Sequence, residues 1–91
     1  MALVKRWTVD IFIDEQEDER RTRAEARLET PDRVGLAGIG TARRNPVDPE
    51  VPAIGEELAV SRALSDLAHQ LLDAAAGDIE QHTHRRAHLR A

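Results

Sequence analysis

Ser61, Ser65, Asp66, His69 and Asp73 supply every residue type of a hydrolytic triad. They fall within one helical stretch, and side chains along one straight helix cannot converge as a nucleophile, base and orienting acid must. Asp10, Asp14, Glu15, Glu17, Asp18 and Glu19 have the oxygen ligands of a calcium or magnesium site. They lack the glycine and terminal glutamate of an EF-hand loop, and a solvated hairpin turn is the expected use. Gly35-Leu36-Ala37-Gly38-Ile39-Gly40 is glycine-rich but out of order for a phosphate loop. A proline-rich stretch follows it where an anion would need a helix N-terminus, so packing glycines are expected. His82, His84 and His88 are potential metal ligands, with Asp78 nearby, but no metal-site spacing is completed.

The arginines are the residues with a partner chemistry of their own. Arg21, Arg23 and Arg27 alternate along one predicted strand, with Arg43, Arg85 and Arg86 further on. Guanidinium groups spaced in this way suit phosphate oxygens of RNA. Glu25 and Glu29 interleave on the same face, and one Trp with one Phe cannot make a base-stacking platform. Any RNA contact is therefore expected to read shape and phosphates. The competing expectation is a charge-balanced face left to solvent.

The chain that must position these groups has 91 residues, 13 basic and 17 acidic, for a net charge of −4. That balance excludes a general polyanion binder. Twelve of the basic residues are arginine and 14 residues are alanine, a GC-rich coding bias. The absence of cysteine removes disulfides, thiolate zinc sites and thiol catalysis. No apolar run reaches the ~20 residues of a membrane span, and the opening MALVKRWTV has no signal-peptide core. A single cytoplasmic domain is expected, with no enzymatic activity, no cofactor, no metal and no membrane contact.

Periodicity supplies the elements. Trp7, Val9, Ile11 and Ile13 alternate with Thr8, Asp10, Phe12 and Asp14, which predicts a strand over 5–14 with one buried face. Arg21 to Thr30 alternates likewise and predicts a second strand over 21–30, although its Ala/Arg/Glu composition favours helix. A third strand is predicted over 33–44, where Gly38, Gly40 and Ala42 form a flat strip for a closely packed helix. Prolines 46, 49 and 52 mark a stiff linker over 45–53. The main helix is predicted over 54–76, with Glu56 and Glu57 in its first turn and Gly77 as its stop. Its apolar side holds Val60, Ala63, Leu64, Leu67 and Leu71. Arg62, Asp66, His69, Gln70 and Asp73 form the opposite face, expected in solvent. Asp78 opens like a fresh N-cap, so a short second helix or tail is predicted over 78–91.

The fold class is therefore α+β: a three-stranded antiparallel sheet packed by one long C-terminal helix, β-β-β-α. The helix has more apolar surface than a small sheet can cover, and Phe12 projects from the face opposite Trp7. A homodimer that buries the surplus is expected, as is usual for cores this small.

Specific residues also resemble a known family. Trp7-Thr8-Val9-Asp10-Ile11, Arg21-Thr22-Arg23-Ala24, Asn45-Pro46, Val51-Pro52, Ile54-Gly55 and Arg62-Ala63-Leu64-Ser65-Asp66-Leu67 occur in order. With Asp78-Ile79-Glu80 and Thr83-His84, they resemble a small actinobacterial family of uncharacterised proteins over nearly the whole chain. The resemblance implies a double-stranded-RNA-binding-like fold without its first helix, a dimer, and a likeness to ribosome hibernation factors of stressed or dormant bacteria. Such factors present basic helices to ribosomal RNA, whereas this helix is mixed in charge. The expected phosphate contacts are thus Arg21, Arg23, Arg27, Arg43, Arg85 and Arg86. The rival expectation is a protein–protein interaction module, docking its partner around Phe12.

Overall fold

The computed structural model describes residues 2–31, 35–47, 49 and 51–83. Three strands, β1 (Thr8–Gln16), β2 (Arg21–Glu29) and β3 (Ala37–Arg43), are followed by one helix, α1 (Pro52–Thr83). The sheet is antiparallel in the order β1-β2-β3, and α1 lies across one side of it. The expected α+β class, with one sheet and one long C-terminal helix, is the architecture found.

Alternation decides the middle strand against its helix-favouring composition. The side chains of Ala24, Ala26 and Leu28 are buried on one face, and Arg21, Arg23, Glu25 and Arg27 occupy the other. A 3₁₀ turn, Glu17–Glu19, joins β1 to β2. Arg20 closes that turn in the left-handed region at φ 51°, and its carbonyl accepts the backbone N–H of Arg44 at 2.9 Å.

β3 makes the close contact that its glycines foretell. A Cβ at Gly38 would collide with the Ala63 carbonyl and the Leu67 amide, and one at Gly40 with the Ala59 carbonyl and the Ala63 amide. The core is accordingly thin: Ala24, Ala26, Leu28, Ala42, Ala59, Ala63 and Leu67. Among the described residues no large side chain is fully buried.

Several expectations are corrected. The first strand runs over Thr8–Gln16 rather than 5–14, because its pairing with β2 extends to Gln16 opposite Arg21. The third begins at Ala37, not 33. Leu36 still accepts the Leu28 amide at 2.8 Å, and 33–34 lie outside the described residues.

The helix starts two residues early, at Pro52, whose missing N–H costs nothing at a first helical position. Glu56 and Glu57 therefore fall in its second turn. It also passes straight through Gly77. No glycine adopts the positive φ of a helix stop, and the helix continues to Thr83, whose Oγ1 donates to the Ile79 carbonyl at 2.9 Å. Asp78 is thus interior, and the second helix predicted from 78 is the end of the first.

The largest correction concerns β1. Trp7, Val9, Ile11 and Ile13 remain 55, 41, 38 and 44 % exposed, so the expected buried face is open. The register places Val9, Ile11 and Ile13 beside Leu28, Ala26 and Ala24, on the helix side. Small residues draw α1 over β2 and β3, and β1 lies at its margin.

Candidate nucleic-acid interface

With Ala24, Ala26 and Leu28 against the helix, the alternate residues of β2 point to the open face. The register then builds that face row by row. Arg27 lies opposite Asp10 and Ala37, Glu25 opposite Phe12 and Ile39, Arg23 opposite Asp14 and Thr41, and Arg21 opposite Gln16 and Arg43. Arg21, Arg23, Arg27 and Arg43 are therefore brought to one surface. Arg85 and Arg86 lie outside the described residues.

The four are not equivalent. Arg27 Nε donates to Glu25 Oε2 at 2.8 Å, and its guanidinium carbon stands 4.8 Å from the centroid of the Phe12 ring. Arg23 has Asp14 directly across the strand. Arg21 and Arg43 face each other without an acid in their row, and Glu19 Oε2 lies 4.0 Å from Arg21 Nε. Arg21 Nε and Gln16 Oε1 are both enclosed without a hydrogen-bond partner.

Four arginines thus gather at one end of the sheet, next to the acidic turn Glu17–Glu19. Arg20 and Arg44 flank the Arg21–Arg43 row, and all four arginines line a cavity of about 380 Å³. Its other wall is the start of α1, with Ile54 and Leu58. Among the described lining residues, Glu15 alone is acidic. Two opposed guanidinium groups at a sheet end can hold one phosphate between them or two successive phosphates.

The helix face predicted for solvent has a different task. Arg62 Nη1 donates to the Thr41 carbonyl at 2.6 Å, Asp66 Oδ2 accepts the Ile39 amide at 2.8 Å, and Gln70 Nε2 donates to the Ala37 carbonyl at 2.7 Å. These three side chains bind every second residue along the outer edge of β3. The residues suggestive of a triad are thereby accounted for: Asp66 holds a strand, and His69 Nδ1 sits 2.8 Å from the Ser65 carbonyl in its own helix. His82 Nδ1 likewise sits 2.8 Å from the Asp78 carbonyl, while His84 and His88 are outside the described residues. No group of three metal-ligating side chains occurs among the described residues. No described helix is long and apolar enough to cross a membrane.

Sequence reasoning missed the edge clamp. Its signal is the i, i+4, i+8 column of Arg62, Asp66 and Gln70 flanking the small residues Ala59 and Ala63.

Comparison with known proteins adds relatives. A family model described as Rv2632c-like matches residues 5–88. Uncharacterized protein Mb1767 of Mycobacterium bovis is 51 % identical over 87 residues, covering 96 % of this chain and 89 % of that one. Uncharacterized protein Rv2632c of Mycobacterium tuberculosis is 48 % identical over 77 residues, covering 85 % and 80 %. The crystal structure of Rv2632c superposes with a TM-score of 0.81 at 45 % identity, covering 92 % of this chain and 96 % of that one.

Proposed function

This chain belongs to the Rv2632c-like family, and from that premise we propose that it is a non-enzymatic, homodimeric factor that contacts ribosomal RNA in the cytoplasm of stressed or dormant cells. One observation carries the reading. Arg21 and Arg43 stand opposite each other at the end of the sheet, beside Arg20 and Arg44. A phosphate there meets two opposed guanidinium groups on the open face, and the net charge of −4 leaves no general affinity for polyanions. The sequence resemblance to proteins likened to hibernation factors supplies the ribosome as the RNA in question. In this reading Arg27 contributes less because Glu25 already pairs with it, and Arg23 contributes less because Asp14 lies opposite it in the register.

The test is co-sedimentation of the purified protein with ribosomes at low and moderate salt. Saturable, salt-sensitive co-migration is expected. A protein that stays in the supernatant at both salts overturns the reading.

A second reading, a protein-binding module, is favoured by one feature of the same face. Phe12 and Ile39 are 51 and 46 % exposed in one cross-strand row, an apolar spot on a surface of nearly balanced charge. Binding that ignores salt and disappears with Phe12→Ala would select it.

A further inference from the structure

The two edges of the sheet are treated differently. The outer edge of β3 is occupied by Arg62, Asp66 and Gln70. Among the described residues, the outer edge of β1 has no strand beside it, and Val9, Ile11 and Ile13 next to it are exposed. We propose that this edge is the homodimer interface: β1 of one copy pairs antiparallel with β1 of a second copy about a twofold axis at Ile11, making one six-stranded sheet. The proposal rests on the homodimer reading above and adds the surface and the register.

Backbone polarity selects the residues. Hydrogen bonding alternates from side to side along an antiparallel strand. Since Ala37, Ile39 and Thr41 give their backbone groups to the helix, Gly38, Gly40 and Ala42 face β2. The alternation then gives Arg23, Glu25 and Arg27 to Asp14, Phe12 and Asp10 of β1. The backbone groups of Val9, Ile11 and Ile13 are those directed outward. These are also the residues whose apolar side chains lie uncovered on the helix side.

Side chains select the register. A twofold axis perpendicular to the sheet keeps each residue on its own face, so it passes through a residue position. An axis at Asp10 opposes the two Asp10 carboxylates, and one at Phe12 opposes Asp10 with Asp14. Like charges directly across a strand pair are destabilising. An axis at Ile13 sets Ile11 against Glu15. An axis at Ile11 sets Val9 against Ile13, Asp10 against Phe12, and Thr8 against Asp14, with no acid facing an acid. Each edge then finds donors and acceptors, and the apolar strips of the two copies become one continuous floor between the two helices. Val60, Leu64 and Leu71 of α1 border that floor, and Leu64 is itself 42 % exposed.

The chain has no cysteine, so single-cysteine variants report the register cleanly. Residues related by the axis in a hydrogen-bonded pair have Cα atoms ~5.5 Å apart, within disulfide reach. Asp10→Cys, Ile11→Cys, Phe12→Cys and Ile13→Cys would be oxidised mildly, and the solution mass of the parent protein measured by light scattering. A dimer mass, with Ile11→Cys cross-linking at least tenfold faster than the other three, is the expected result. Faster cross-linking at 10, 12 or 13 overturns the register. A dimer with no cross-link at any position places the interface elsewhere, and the homodimer reading survives alone. A monomer overturns both. Amide exchange on the unmodified protein gives a check that no variant's folding can disturb. Protection of the Val9, Ile11 and Ile13 amides that grows with concentration is expected, and rapid exchange at every concentration contradicts the pairing.

Discussion

Asp66, in the middle of α1, accepts the backbone N–H of Ile39 in β3 at 2.8 Å, across 27 positions of sequence. Arg62 and Gln70 repeat the contact one turn to either side, at Thr41 and Ala37. The match is metrical. Four residues of helix rise about 6 Å, and two residues of strand advance about 6.7 Å. A helix side chain at every fourth position therefore meets the edge at every second residue. The clamp satisfies backbone groups that would otherwise template another strand, and it fixes the helix along β3.

Asp66→Ala should cost about 1.5 kcal/mol, the low end of the range for a hydrogen bond to a charged acceptor, since the bond is exposed. Urea unfolding reads the loss, and hydrogen exchange should show the Ile39 amide opening faster. An unchanged midpoint with an unchanged Ile39 amide would contradict the clamp.

Gly38→Ala and Gly40→Ala should each destabilise by about 2 kcal/mol or more, since the added methyl meets helix backbone rather than a movable side chain. A strand glycine with open space would do the opposite and gain from alanine. Thermal or urea unfolding of each variant decides between the two.

Gly77→Ala should stabilise the protein by about 0.5–1 kcal/mol. The position is within a continuous helix, its added Cβ meets nothing within 4 Å, and glycine is a poor helix former. A fall in melting temperature would mean that the helix ends there after all.

Arg27→Ala should weaken ribosome binding less than Arg43→Ala does. Arg27 is held by Glu25 and the Phe12 ring, and its exposed contact with that ring is worth about 0.5–1 kcal/mol to folding. Comparing the affinities of the two variants at one salt concentration checks the ranking. Equal losses would return Arg23 and Arg27 to full membership of the site.

The parts legible in the sequence were those fixed by local pattern. The alternation of Ala24, Ala26 and Leu28 with arginines gave β2 its faces, and Gly38, Gly40 and Ala42 announced a helix at close quarters. What escaped depended on lateral placement. Periodicity cannot say which strands a helix covers, so Trp7, Val9, Ile11 and Ile13 read as core when the small residues of β2 and β3 had drawn the helix away. It cannot distinguish a polar column facing water from one facing a strand edge, which hid Arg62, Asp66 and Gln70. Gly77 reads as a stop because glycine is common just past helix ends, yet the helix runs on through it to Thr83. For the arginines, alternation placed Arg21, Arg23 and Arg27 on a common face. Only the register revealed that Arg43 answers Arg21 while acids answer the other two.

The most direct test of the central claim is the salt dependence of ribosome binding for the parent protein and for Arg21→Ala with Arg43→Ala combined. Each lost phosphate contact lowers the slope of log affinity against log salt by about 1. The double variant should bind more weakly, with a slope flatter by about 2. Parent-like affinity and slope in the double variant would contradict the claim and leave the apolar spot around Phe12 as the place to look for a partner.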